Sequence, residues 1–386
     1  MPWNDLANNQ TVSFTNLKDA VDLGYFSPKG SIPISDEQTT KDDINLSVYV
    51  NTSFTPFASK SGNQLVVKSN LECGTPVINT QDLLWRGIAN NESTSSPIQL
   101  LAGSTSSGPG IVYRSTDYGE SYSSVLNSGP FLNSVKFMPA FRHASYLSVI
   151  PFLAVGNTGR IITNSNNDAT SWIAITSPST QLLYDIAYNN IGTAIIVGDQ
   201  RILKTNTSGR INSWSIINSV ASVWRSAASD GIRFVVVGED SSIIVGTSSG
   251  TVWTSGTMPP LASPNIRLMG VTYHTDSFWY AVGVTSGGAP YIMKSIDSLG
   301  FDWENYTTTG DSFIGPLFSI SSINGRLVVG GFDYQYQIIG NSVRRCGANT
   351  GGISMQWDAI VKNANSSNGF DMAGFGIGNI GGYSNF

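Results

Sequence analysis

Residues 115–122 read Ser115-x-Asp117-x-Gly119-x-Ser121-Tyr122, and degraded copies of this octet return along the chain. They are Ser165-x-Asn167-x-Ala169-x-Ser171-Trp172, Gly246-x-Ser248-x-Gly250-x-Val252-Trp253 and Ser295-x-Asp297-x-x-Gly300-x-Asp302-Trp303, the last with one inserted residue. A unit that recurs at roughly 40–50 residues constrains the fold more than any single element, because repeated units bury their apolar faces on one another.

Each unit has a common grammar. An apolar run ends in glycine, as at Leu100-Leu101-Ala102-Gly103, Leu153-Ala154-Val155-Gly156, Ile195-Ile196-Val197-Gly198, Val235-Val236-Val237-Gly238, Tyr280-Ala281-Val282-Gly283 and Leu327-Val328-Val329-Gly330. A second short apolar run follows, then the octet turn, closing on Tyr122, Trp172, Trp214, Trp253, Trp303 or Trp357. One more strand-like stretch precedes each glycine-ended run. These segments are rich in β-branched and aromatic residues, are bounded by turn formers, and show no sustained 3.6-residue period. Four short strands per unit predict an all-β fold, a propeller of four-stranded blades. Six units are complete. Residues 64–70 read as a third strand and residues 370–376 as a first strand, so the two ends of the chain are expected to share a further blade. Seven blades are favoured, with six as the alternative.

The turn chemistry suits Asp and Asn, whose side-chain oxygens accept backbone N–H groups a few residues on, and glycine, which supplies positive φ. On these residues the chain resembles the Asp-box repeats of sialidases and related propellers. The resemblance covers most of residues 61–386. It assigns structural turn roles to Ser115, Asp117, Gly119, Tyr122, Ser165, Asn167, Trp172, Ser295, Asp297 and Trp303.

Because Asp-box propellers include glycan-cleaving enzymes, catalysis must be weighed. A sialidase-like site needs an arginine cluster and a Tyr–Glu pair, and its usual arginine stretch before the first box is absent; Phe141-Arg142-His143-Ala144 follows the box and lacks Ile-Pro. A glycosidase needs two carboxylates about 5–10 Å apart. Asp185, Asp230, Glu239, Asp240, Asp276 and Asp311 are candidates by type, but Asp230-Gly231 and Glu239-Asp240 read as turns. His143 and His274, the only histidines, leave little room for a zinc site or a histidine relay. No nucleotide fingerprint is present. The expectation is no catalytic residue, no metal and no cofactor. Trp279, Tyr306, Tyr334 and Tyr336 stand in less regular surroundings and are candidates for stacking on a ligand.

Only 12% of residues are charged and the net charge is −5. Neutral polar residues replace Lys and Glu, as in secreted and virion-surface chains, and no basic patch points to nucleic acid. No signal peptide or membrane span is read. Cys73 and Cys346 are the only cysteines, and whether they pair stays open.

Residues 1–60 depart from the blade grammar. An alternating stretch over residues 12–21 that turns helical, a break at Pro28 and Gly30 and a strand at residues 46–50 make a small irregular module. Its pattern Asn8-Asn9-Gln10-x-Val12-Ser13-Phe14-Thr15-Asn16-Leu17, with the later Asn63-Gln64-Leu65-Val66-Val67-Lys68-Ser69, resembles N-terminal modules of virion and fibre proteins of Bacteroidetes phages. The resemblance implies a docking module for other virion proteins within a multi-subunit assembly. The expected role is a noncatalytic neck, tail, fibre or head-vertex component, assembled in the host cytoplasm, whose propeller presents loops to a protein or a host-surface glycan. The alternatives are a carbohydrate-active propeller enzyme and a secreted, cell-surface adhesin.

Overall fold

The computed structural model describes residues 83–377, apart from 106–107, 120, 143–144, 146, 219–221, 261–264, 347–353 and 363–369, together with the strands Phe26–Ile32, Leu46–Val50 and Val66–Ser69. The chain divides into two compact units, Met1–Ala58 and Ser59–Phe386. In the first, Phe26–Ile32 pairs antiparallel with Leu46–Val50. Pro28 and Gly30 therefore lie inside a strand and do not end one. They fall between Ser27 and Ser31, where the register is interrupted, the place where a strand tolerates a missing N–H. The helical expectation over residues 12–21 lies outside the described residues, as do His143 and Cys73.

The second unit is built of seven sheets. Five have four antiparallel strands in sequence order; the first is Leu83–Asn90, Gln99–Thr105, Gly110–Ser115 and Ser123–Asn127. The sixth sheet adds a two-residue strand, Thr309–Gly310, parallel to Ser342–Cys346 at its edge. The seventh consists of Ser354–Lys362, Phe370–Ile377 and Val66–Ser69. The first strand of each sheet packs on the first strand of the next, and Ser354–Lys362 packs back on Leu83–Asn90. The sheets thus form a closed, seven-bladed β-propeller around a central channel.

Closure refines the sequence reading. Val66–Ser69 is the third strand of the shared blade, as expected. Phe370–Ile377 is its second strand, and the first is Ser354–Lys362. Trp357 consequently sits in an innermost strand and does not close a turn. The fourth strand of the sixth blade is Ser342–Cys346, a stretch without the blade grammar in its sequence.

The core lies between blades. Second strands are buried along most of their described length because alternate residues face opposite neighbours. Leu100 and Ala102 pack with Leu132, Val135 and Phe152 of the second blade, whereas Leu101 packs with Trp357 and Met372 of the seventh. Ile195 and Val197 meet Trp224 and Phe234 on one side, and Ile196 meets Phe141 and Leu153 on the other. This two-sided burial produces the near-continuous apolar runs seen in the sequence. The turn aromatics fill the same seams: Tyr122, Trp214 and Trp303 are buried in them, and Trp172 and Trp253 pack at their edges.

Candidate functional site

Every innermost strand carries a register irregularity at the same level. It falls between Trp85 and Gly87, Leu132 and Ser134, Leu183 and Asp185, Trp224 and Ser226, Leu268 and Gly270, Leu317 and Ser319, and Trp357 and Ala359. One extra residue in each strand is left without a cross-strand partner, a β-bulge, and bulges re-aim side chains. The seven bulged residues line the channel. Arg86, Asn133, Tyr184 and Arg225 come from the first four blades, Met269 and Phe318 from the fifth and sixth, and Asp358 from the seventh. The ring is therefore polar through one arc and apolar through another.

The residue before each bulge is a large apolar one, and the residue after it is small, with Asp185 as the exception. Smallness is required by the close approach of neighbouring first strands: a Cβ on Gly87 would lie 2.7 Å from the Val135 nitrogen. Asp185 uses its position to tie three blades together. Its Oδ1 accepts from Ser134 Oγ at 3.1 Å, and its Oδ2 accepts from Ser226 Oγ at 3.0 Å and the Ala227 N–H at 3.2 Å.

Two cavities open along this ring. One, of about 510 Å³, is the channel itself. The other, of about 1000 Å³, is the mouth formed by the links entering the first strands and the turns between second and third strands. At this mouth Arg225 is doubly bonded to Glu239, through Nε at 3.1 Å and through Nη2. Its guanidinium lies 4.4 Å from the centroid of the Tyr184 ring. Burial pushes the Tyr184 phenol up, and the neighbouring Arg225 charge offsets part of that rise. Arg86 forms a 3.6 Å ion pair with Asp358. Burial holds the Asp358 carboxyl above its ordinary value despite Arg86 and a bond from Gln356, and its Oδ2 accepts no hydrogen bond. Phe131, Phe318, Phe332 and Met269 supply apolar surface to the same mouth.

The turn residues singled out in the sequence fall at the opposite end of the blades. In the first turn Ser115 Oγ accepts from the Gly119 N–H at 2.7 Å, and Asp117 accepts from the Ser121 N–H at 2.9 Å and from the Ser121 hydroxyl. Gly119 has φ +80°, and the Tyr122 hydroxyl donates to the Gln99 side chain. In the fourth copy Asp297 Oδ1 accepts from the N–H groups of Leu299, Gly300 and Phe301, and its Oδ2 from that of Asp302. Ser295 Oγ accepts the Trp279 N–H at 2.9 Å.

The second copy is offset by one residue from its sequence alignment. Asn166, and not Asn167, accepts the Ser171 N–H at 3.1 Å. Asn164, and not Ser165, accepts the Phe152 N–H at 2.6 Å, the bond that Ser295 makes to Trp279. Asn167 instead accepts from the Ile150 N–H. With this offset Asn166, Thr247 and Asp297 stand at one spacing from Trp172, Trp253 and Trp303, each accepting the N–H of the residue before the tryptophan. In all three turns the indole N–H donates to the carbonyl three residues back, at 3.1, 3.2 and 2.9 Å. The octet at residues 115–122 is one residue shorter between acceptor and aromatic.

The stacking aromatics fare differently from expectation. Trp279 and Tyr336 are fully buried, so neither offers a face to a ligand. Trp279 belongs to the seam between the fourth and fifth blades and Tyr336 to that between the fifth and sixth. Tyr306 and Tyr334 are partly buried, Tyr306 donating to the Gly340 carbonyl at 2.5 Å and Tyr334 lying under the Arg345 guanidinium. Of the candidate carboxylates, Asp230 accepts the Ile232 and Arg233 N–H groups, Asp276 accepts from Tyr280 Oη and pairs with Lys294, and Asp311 accepts the Arg345 N–H. Asp240 lies in a turn with φ 52°. His274 Nδ1 is 2.8 Å from Ser322 Oγ. Among the described residues no group of three or more His, Cys, Asp or Glu is placed to hold a metal, and no helix is long and apolar enough to cross a membrane.

Searches with known proteins bear on the fold. Among solved structures, 1120 chains match; one is YCF48 bound to D1 peptide, at 13% identity and a TM-score of 0.54, covering 81% of this chain and 96% of that one. The likeness is one of fold. The chain is a β-propeller. No family model matches it, and no curated protein does. The bulged ring of this propeller escapes sequence reasoning, although it leaves a signal: large apolar, variable, then small or Asp, as in Trp85-Arg86-Gly87, Leu132-Asn133-Ser134, Leu183-Tyr184-Asp185 and Trp224-Arg225-Ser226. The pattern does not read as a site because the variable residue is the one that differs from blade to blade.

Proposed function

We propose that this propeller is a noncatalytic structural and recognition component of a virion, docked through residues 1–60 and presenting its mouth and loops to a protein or a host-surface glycan. One observation carries the noncatalytic part. Two acidic groups of the channel and its mouth are engaged in holding the ring: Asp185 in cross-blade hydrogen bonds and Glu239 on Arg225. A reacting carboxylate must be able to change its protonation state or bonding during turnover, and these bonds oppose that. The virion part draws on the N-terminal pattern and on the low charge density, 12%.

Purification of intact particles tests the assignment: the chain is expected at a fixed copy ratio to the major structural protein, and its loss on gradient purification would remove the virion reading. One observation favours an enzyme. Asp358 is a carboxyl held above its ordinary value by burial, and it lines the channel with Asp185, as an acid and a base would. Turnover of an oligosaccharide that Asp358→Asn abolishes would establish that alternative.

A further inference from the structure

We infer that the mouth above the bulged ring is a binding site for an uncharged oligosaccharide, seated between Arg86 and the Arg225–Glu239 pair on one side and Phe318 with Met269 on the other. The inference deepens the recognition role proposed above by placing the site and naming the ligand class. It does not depend on the virion assignment.

Three features converge on this chemistry. First, two of the three mouth arginines, Arg86 and Arg225, face carboxylates of the protein itself, and the third, Arg267, shares the mouth with Asp240. Their charge is compensated within the site, so an anionic ligand gains little from them. What such pairs do offer is a row of fixed N–H donors beside fixed carboxylate acceptors. Adjacent hydroxyls of a sugar, each a donor and an acceptor at once, match that row.

Second, the guanidinium of Arg225 is clamped, its carbon 4.4 Å from the Tyr184 ring centroid and two of its nitrogens bonded to Glu239. Its donors are thereby oriented before any ligand arrives, which lowers the ordering cost of binding. Third, the apolar arc of the ring brings Phe318 and Met269 to the same cavity, joined by Phe131 and Phe332. Apolar and aromatic surface facing fixed polar groups suits a pyranose, whose C–H face is apolar and whose rim is hydroxylated. The cavity of about 1000 Å³ has room for several sugar units.

The experiment uses the full chain on an array of neutral gluco-, galacto- and manno-oligosaccharides of two to six units, with uronic-acid, sialylated and sulfated glycans as the charged set. Hits are quantified by calorimetry. The expected result is binding of a neutral oligosaccharide whose affinity changes less than about twofold between low and high salt, since an uncharged ligand is not screened. Phe318→Ala and Arg86→Gln are each expected to weaken it by about tenfold, the scale of one lost stacking or hydrogen-bonding contact. Should either variant unfold, Phe332→Ala on the turn outside the innermost strands replaces it, with a smaller loss expected. Binding confined to the charged set, falling steeply with salt, overturns the inference in favour of an anion site. Absence of binding to every glycan, or neutral binding that all three substitutions leave intact, also overturns it. Particle incorporation is scored separately, so loss of sugar binding and loss of the virion role are distinguishable.

Discussion

Gly238 lies directly across from Trp224 in the fourth blade, and a Cβ built on it would stand 2.2 Å from the Val223 carbonyl oxygen. The same pairing sets Gly103 against Trp85, Gly156 against Leu132, Gly198 against Leu183, Gly283 against Leu268 and Gly374 against Trp357. The glycine that ends each apolar run thus makes room for the backbone entering the bulge. In the sixth blade the residue in this register is Gly331, opposite Leu317, and not Gly330.

Gly238→Ala must displace backbone, and the bulge with it. The substitution is expected to destabilise the protein by about 2–4 kcal/mol, the range for a forced backbone clash in a packed core. Gly287→Ala is the control, because a Cβ there has only Thr285 Oγ1 near it, at 3.9 Å. Denaturant midpoints of the two variants should separate clearly; equal midpoints would mean that the bulge relaxes without cost.

Asp185 cannot be replaced by its amide without loss. Oδ1 accepts the Ile186 N–H as well as the Ser134 hydroxyl, and Oδ2 accepts the Ala227 N–H as well as the Ser226 hydroxyl. Whichever way the substituted amide were turned, its NH₂ would face a backbone donor. Asp185→Asn and Asp185→Ala are both expected to cost about 2–3 kcal/mol, as for removal of a partly buried charged acceptor. Thermal unfolding would check this, and an Asp185→Asn variant of unchanged stability would count against the cross-blade role.

Trp303 and Trp214 are both buried turn aromatics, but only one uses its indole N–H. Trp303 Nε1 donates to the Gly300 carbonyl at 2.9 Å, whereas Trp214 Nε1 is buried without an acceptor. Replacement by Phe removes similar volume at each site. Trp303→Phe should therefore cost about 1 kcal/mol more than Trp214→Phe, one hydrogen bond's worth. Chemical denaturation of the pair of variants measures the difference directly.

Acid and alkaline limbs of the stability profile should respond to different carboxylates. Burial alone would raise Asp117, but bonds from Ser115 and Ser121 outweigh it and hold the carboxyl below its ordinary value of 3.8. The unfolded chain then binds the proton more tightly, so the contribution of Asp117 is complete above the unfolded value and vanishes as pH falls through the native one. Asp358 is raised by burial, so its proton favours the native state and that contribution is lost as pH rises through the native value. Asp117→Asn is expected to flatten the profile below about pH 4, and Asp358→Asn to raise stability at pH 8 relative to the unsubstituted chain. Denaturant midpoints from pH 3 to 9 test both signs.

Much of the architecture was legible in the residue order, and for a physical reason. A strand buried on both faces must be apolar at consecutive positions, and the glycine facing Trp224 or Leu183 must lack a side chain, so the period, the strands of the first five blades and the contribution of Val66–Ser69 to the closing blade left local marks, whereas Ser342–Cys346 and the order of the two C-terminal strands did not. The turns at residues 115–122 and 295–303 were legible too, because their acceptors serve N–H groups only a few residues away.

What lay beyond the residue order depends on contacts made through space. Asn166 displaced Asn167 as the turn acceptor because backbone direction selects which amide meets the Ser171 N–H. Trp279 and Tyr336 looked like ligand aromatics until packing between blades buried them. Arg86, Tyr184, Phe318 and Asp358 share no sequence neighbourhood and no residue type. They become one site only because bulges at matching heights, on strands curled into a wheel, aim all of them at a common axis.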